Sequence, residues 1–148
     1  MAELFPDEGI DIVLSVAPKG GAMPDPLYLG LFASQTPTTV PARGAVLATE
    51  TGVTEVTGQG YARIAVDAGD WGAPGTNGSG RKITAGTYSF IATAGAGLPW
   101  DAANGFFLAD AAVNGHALYY ANFNSGVARQ LQVAGDQLDV TPSWQDDG

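Results

Sequence analysis

Two periodicities divide the chain. Over residues 6–17, Ile10, Val13, Leu14 and Ala17 recur at helical spacing. Pro6, Asp7 and Glu8 open this stretch, where proline fits a first helical turn and carboxylates meet the positive end of the helix dipole. Pro18-Lys19-Gly20-Gly21 closes it. The spacing predicts one short N-terminal helix, although the β-branched Ile12 and Val16 suit a strand equally well.

Beyond Pro24-Asp25-Pro26 the period drops to two. Leu27, Leu29 and Leu31 alternate with Tyr28, Gly30 and Phe32, the pattern of a strand buried on both faces. Residues 33–52 are polar, Thr-rich and Pro-containing, and predict a long loop. Short strands are expected at Val53–Val56 and Tyr61–Val66, separated by Gly58-Gln59-Gly60. The stretch Asp67–Arg81 carries Gly72, Pro74, Gly75, Gly78 and Gly80 and predicts an exposed excursion. Five more strands follow at Thr87–Thr93, Asn104–Ala109, Ala117–Phe123, Ala128–Val133 and Gln137–Thr141, each bounded by Gly, Asn or Asp. In Ala117–Phe123 the inward set is either Leu118, Tyr120 and Asn122 or the odd-numbered residues; the pattern supports both. Short strands every 8–12 residues or so are the signature of an antiparallel sandwich or barrel. No βαβ rhythm is present, which disfavours a nucleotide-binding α/β fold.

Composition narrows the picture. At 148 residues the chain is one domain's worth, and about two-thirds of its extended surface can be buried on folding. With no cysteine, disulfides, thiolate metal sites and a cysteine nucleophile are excluded. Glycine, 21 residues, is spread between apolar segments rather than gathered into a linker, as tight turns require. Six Lys and Arg against fifteen Asp and Glu give a net charge of −9. That field repels phosphates, so nucleic acid and anionic membranes are poor partners and a basic protein surface is a better one. No apolar run approaches the ~18–20 residues of a membrane-spanning helix. The acidic opening Met1-Ala2-Glu3-Leu4-Phe5-Pro6-Asp7-Glu8 is unlike a secretory signal, so synthesis in the cytoplasm is expected.

Candidate chemistry is sparse. Gly75-Thr76-Asn77-Gly78-Ser79-Gly80-Arg81-Lys82 nearly spells a phosphate-binding loop, but that motif needs Lys directly after its second Gly, then Ser or Thr. A turn-rich loop is the better reading. His116 is the only imidazole; it follows the hairpin dipeptide Asn114-Gly115, and no Gly-x-Ser-x-Gly elbow presents a serine to it. It is expected in solvent at a strand start, and one His without Cys makes a poor zinc site. Asp67 with Asp70, and Asp136 with Asp139, are the carboxylate pairs that a hydrolase or a calcium ion would use, but Asp beside Gly is ordinary turn chemistry. Trp71, Trp100 and Trp144 either plug the ends of the core or anchor a contact surface. Trp71, Trp100, Arg81 and Lys82 are the expected interaction residues; no catalytic, metal or cofactor site is expected. The acidic end, Asp146-Asp147-Gly148, reads as part of a solvated tail over 142–148.

Taken in order, the segments carry a resemblance. Pro26-Leu27-Tyr28-Leu29-Gly30-Leu31-Phe32 is followed by Gly60-Tyr61-Ala62-Arg63, by Trp71 and Trp100, by Gly105-Phe106-Phe107-Leu108-Ala109-Asp110, by Leu118-Tyr119-Tyr120-Ala121-Asn122, and by Gly135-Asp136-Gln137-Leu138. The series, over roughly residues 6–142, resembles a family of small structural proteins of tailed bacteriophages, described as decoration or tail fibre-like proteins. The 33–52 loop and the acidic tail have no counterpart in it. The resemblance implies a β-sandwich virion component that binds other virion proteins and carries no catalytic residue. The expectation is therefore a single antiparallel β-sandwich domain over 1–148, jelly-roll-like, with one N-terminal helix. Its expected role is capsid decoration: a cement protein on the outside of the head, bound to the major capsid protein, as a homo-oligomer and without cofactor. A tail-associated or fibre-like protein is the alternative. A carbohydrate-binding module with Trp71 or Trp100 as a sugar platform beside Asp67 and Asp70 is a third reading, from a different class.

Overall fold

The computed structural model describes residues 3–4, 21–33, 53–78, 80–123 and 127–146. The expected helix over 6–17, and nearly all of the 33–52 loop, lie outside the described residues. Among those described, the protein is mainly β, with antiparallel sheets and no closed barrel. The strands are β1 (Glu3–Leu4), β2 (Leu27–Phe32), β3 (Ile64–Val66), β4 (Gly75–Asn77), β5 (Gly80–Thr84), β6 (Tyr88–Ile91), β7 (Gly105–Ala109), β8 (Ala117–Asn122), β9 (Gln137–Val140) and β10 (Ser143–Asp146). A turn of 3₁₀ helix, Ala68–Asp70, follows β3.

Five strands form the largest sheet, in the order β1-β8-β7-β2-β3. Its centre is buried on both sides. Leu29, Leu31, Phe106, Leu108 and Tyr119 enter one core cluster, whereas Phe32, Phe107, Ala109, Ala117 and Tyr120 form a second. This is the two-faced burial that the Leu-Tyr-Leu-Gly-Leu-Phe run predicts. It rests on two cross-strand pairs on the second face, where Gly30 opposes Phe107 and Phe32 opposes Gly105. A Cβ on Gly30 would overlap the Phe107 ring, and one on Gly105 would overlap both the Phe32 ring and the Ala121 carbonyl. Each ring thus lies over the bare backbone of the glycine opposite, an arrangement that restores the packing a glycine takes out of a strand.

In β8 neither inward set holds as a whole, because the sheet has a core on each face and a bulge breaks the alternation before Tyr119. Leu108 pairs with Tyr119 but Ala109 pairs with Ala117, which leaves Leu118 as the extra residue. Leu118, Tyr119 and Ala121 therefore join the first cluster, and Ala117 and Tyr120 the second.

The two smaller sheets, β10-β5-β4 and β6-β9, continue one another. Thr84 pairs with Ser143 and Tyr88 with Val140, so four steps along one strand match three along its partner. Between them the Ala85 N–H reaches the Pro142 carbonyl at 2.9 Å and the Thr87 and Thr141 hydroxyls meet at 2.7 Å. The result is one long antiparallel ribbon with an extra residue near Gly86. Its Phe90, Leu138 and Val140 share the first core cluster with the five-stranded sheet.

Several expectations change. The Gly-rich excursion is the β4–β5 hairpin, reversing near Gly78, whose φ of +58° suits glycine. Residues 143–146, read as the start of a tail, form β10, and Trp144 stacks on Tyr119 with ring centroids 5.6 Å apart. The Tyr61–Val66 strand contracts to Ile64–Val66, because Gly60 (φ +85°) turns the chain and Tyr61 stacks on Phe90 instead. Val53–Val56 and Ala128–Val133 contribute single bridges, Phe32 to Glu55 and Ala103 to Arg129, rather than strands.

The glycine–aromatic pairs make a direct prediction. Gly30→Ala is expected to lower unfolding free energy by about 1–3 kcal/mol through overpacking. Gly69→Ala, where a Cβ meets nothing within 4 Å, is expected to be near neutral. Urea denaturation midpoints of the two variants check this.

Candidate functional site

Among the described residues, an apolar groove gathers recognition chemistry. Leu27 at the start of β2 and Val66 at the end of β3 are register partners and form its floor. Met23 walls one side, ahead of β2. After Val66 the chain enters the 3₁₀ turn and then Trp71, and the Gly72 N–H bonds to the Thr84 carbonyl at 2.9 Å, which lays Trp71 against β5. Ile83 and Trp144, register partners on β5 and β10, complete the far wall. The groove holds about 380 Å³, and its lining side chains are all apolar.

Its rim is acidic and held in place. The Ala68 N–H bonds to Oδ1 of Asp25 at 3.0 Å, and the Asp67 N–H to Oδ2 of Asp70 at 3.2 Å. The Tyr88 hydroxyl donates to that same Asp70 oxygen at 2.6 Å. Burial, together with the hydrogen bond and charge of Asp70, raises the Tyr88 pKa, so this proton stays in place. Asp25, Asp67 and Asp70 are exposed.

The four expected interaction residues do not form one site. Trp71 lines the groove. Arg81 is exposed two positions before Ile83 on β5, hence on the same strand face. Lys82 lies on the opposite face, in a depression it shares with Arg129 and Asp139. Trp100 is only 2% exposed, which removes it from the contact surface. Its indole N–H donates to the Gln59 carbonyl at 2.9 Å and its ring meets Tyr61 edge-on at 5.5 Å, so it plugs the core. Trp100 therefore offers no sugar platform either. Met23 and Ile83 carry no sequence signal for a site, and Trp144 is a candidate contact anchor that stands outside the four expected interaction residues.

The groups weighed for catalysis are each engaged locally. His116 directly precedes β8 with its side chain 37% exposed, as expected, and is paired there: its Nδ1 lies 2.9 Å from Oδ2 of Asp110, and its backbone N–H donates to Oδ1 at 2.7 Å, across the turn at Asn114 (φ +56°) and Gly115 (φ +67°). Asp136 accepts the backbone N–H groups of Gln132 and Val133, at 2.8 and 3.1 Å, and Asp139 accepts Ser89 and Gln137, both at 2.6 Å. These bonds hold both carboxyls below their ordinary range. Among the described residues, no group of three or more His, Asp or Glu is placed to hold a metal ion.

Sequence reasoning missed the strongest polar feature. Arg63, with a side chain 3% exposed, bonds Glu55 through Nε at 2.9 Å and through a second nitrogen at 2.7 Å. Its remaining terminal nitrogen donates to the carbonyls of Ala111 and Asn114, both at 2.7 Å, and its guanidinium lies 5.1 Å from the Phe107 ring centre. The Tyr61 hydroxyl donates to Glu55 and accepts the Leu31 N–H, both at 2.9 Å. One guanidinium thus ties segment 53–57, the β7–β8 turn and the second core together. A cleft of about 810 Å³ opens beside it.

In comparisons with protein-family models and with curated proteins, the sequence matches none. Among the described residues, no helix is long and apolar enough to cross a membrane.

Two predictions follow from the Arg63 network. Arg63→Met is expected to cost about 2–4 kcal/mol in chemical denaturation, somewhat under the ~3–5 kcal/mol of a fully buried pair because Glu55 is 29% exposed. Tyr61 adds an alkaline limit, since burial first and the Glu55 charge second raise its pKa in the folded protein. Below about pH 10 both folded and unfolded states keep the proton; above it the unfolded state releases it first, so stability falls as pH rises. Stability measured from pH 8 to 12 is expected to fall less steeply in Tyr61→Phe, with Tyr88 supplying the residual slope.

Proposed function

We propose that the protein is a structural component of a tailed-bacteriophage virion, foremost a capsid decoration protein that binds the outer surface of the head. In this reading its two layers, the five-stranded sheet and the long ribbon, stack as a β-sandwich of jelly-roll type. The shared core cluster that joins Leu29, Leu31 and Phe106 to Phe90, Leu138 and Val140 supports that stacking. The observation that carries the functional reading is the apolar groove with Trp71 and Trp144 in its walls, a recognition surface rather than a reaction centre. The ordered resemblance of the strand segments to phage structural proteins supplies the virion context. The major capsid protein is the proposed partner, and the net charge of −9 favours a basic patch on it. Many copies bound only to the assembled shell, as a homo-oligomer at capsomer junctions, would stabilise it by mass action. No cofactor enters this role.

Co-sedimentation of the purified protein with undecorated heads, at low and high salt, tests the proposal. Saturable, salt-sensitive binding that raises the temperature of head disruption is expected. Binding to tails and not to heads would move the protein to the tail, and binding to neither would overturn the virion reading.

A further inference from the structure

Resting on that binding role, we propose that the groove between β3 and β5 takes an extended segment of the partner protein whose apolar anchor side chain is flanked by lysine or arginine. Three features of the groove lead there. Apart from the indole N–H groups of Trp71 and Trp144 its walls carry no polar side-chain group, so an occupant gains by burying apolar surface and has few wall groups to bond. Its volume, about 380 Å³, lies near the lower end of the ~300–1,000 Å³ of small-ligand pockets, which suits an inserted side chain better than a docked helix. Charge then sets what flanks the anchor. Asp25 adjoins the lining residue Pro24, and Asp67 and Asp70 bracket the lining residue Ala68, so three exposed carboxylates border one end.

Two of those carboxylates are fixed, Asp25 by the Ala68 N–H and Asp70 by the Asp67 N–H and the Tyr88 hydroxyl, so a cationic partner meets a rim that needs little reorganisation. Arg81 shares a face of β5 with the lining residue Ile83 but stands outside the lining, so the carboxylates give the groove its direction: the basic flank of the segment lies toward the 3₁₀ turn. The same charges argue against other occupants. A second copy of this chain, with six basic residues against fifteen acidic ones, is a poor source of a cation-flanked anchor for this rim, and an anionic bilayer would be repelled. A sugar would find few hydrogen-bonding groups on the walls.

The test uses the full chain and an acetylated, amidated pentapeptide of sequence lysine-phenylalanine-arginine-leucine-lysine, with a version carrying glutamate at the three basic positions. Binding is followed by tryptophan fluorescence, in which Trp71 and Trp144 report on the groove and buried Trp100 does not. Saturable binding of the basic peptide is expected, at least tenfold tighter than the acidic one and weakened by salt. Ala68→Arg, on the exposed turn, is expected to weaken it at least tenfold by occupying the mouth and reversing its charge. Asp67→Asn is expected to weaken it several-fold; both variants should keep the wild-type unfolding midpoint.

Equal affinity for the two peptides, absent binding of the basic one, or binding indifferent to Ala68→Arg would overturn the inference. So would tighter binding to maltohexaose or to phosphatidylserine vesicles. Head co-sedimentation of Ala68→Arg separates this inference from the virion proposal. Heads bound equally by wild type and variant would leave the virion role standing and remove the groove from it. Peptide binding without head binding would do the reverse.

Discussion

The fold depends on two aromatic rings lying flat over two glycines in the middle of a sheet. Because Gly30 opposes Phe107 and Gly105 opposes Phe32, the central strands β2 and β7 approach without a side-chain layer between ring and backbone. The rings fill the second face, so it is buried as thoroughly as the first: Phe32 and Phe107 are both wholly inaccessible. A sheet buried on both sides cannot slip its register by one residue without losing a core. That fixed register sets where β2 begins and β3 ends, and hence where Leu27 and Val66 meet at the groove floor.

Arg63 extends this order to the irregular chain around the sheet. It lies over Phe107, so the aromatic ring that covers Gly30 is itself covered by a cation whose donors reach Glu55 and the β7–β8 turn. Segment 53–57 is held from both sides, by the Leu31 carbonyl at 2.9 Å from the Val56 N–H and by the Asp101 carboxylate on Thr57. Two ends of the molecule thereby acquire different characters. One has polar chain gripped by a half-buried ion pair; the other, at the groove, has apolar chain bordered by surface carboxylates.

Much of the fold was legible in the sequence, for a physical reason. Strands β2, β6, β7, β8 and β9 are apolar runs punctuated by turn residues, and each forms within a residue or two of its predicted place. Strands β4, β5 and β10 were not legible, because Gly-Thr-Asn, Gly-Arg-Lys-Ile-Thr and Ser-Trp-Gln-Asp carry too few apolar positions to show a period. They are strands because their backbones find partners, which a local pattern does not encode. The site was less legible still. Trp71 lines the groove, but Met23, Val66, Ile83 and Trp144 come from four separate segments that only the topology assembles. Trp100 shows the converse, since its flanking Gly and Pro imply a surface loop while Gly58 leaves room for its ring in the core.

The extra residue near Gly86 works as a phase shifter. On β5 the odd-numbered Ile83 turns toward the groove, whereas on β6 the even-numbered Tyr88 and Phe90 turn toward the core; on the partner strand Trp144, Val140 and Leu138 keep one parity throughout. Losing that residue would shift every later side chain on β6 to the wrong side, putting Ser89 and Ile91 inward. In the lineage of this protein, length changes at residues 85–87 should therefore be far rarer than substitutions there. A gap at that point between two related sequences would signal a rebuilt ribbon, and any residue-by-residue comparison beyond it would have to change phase.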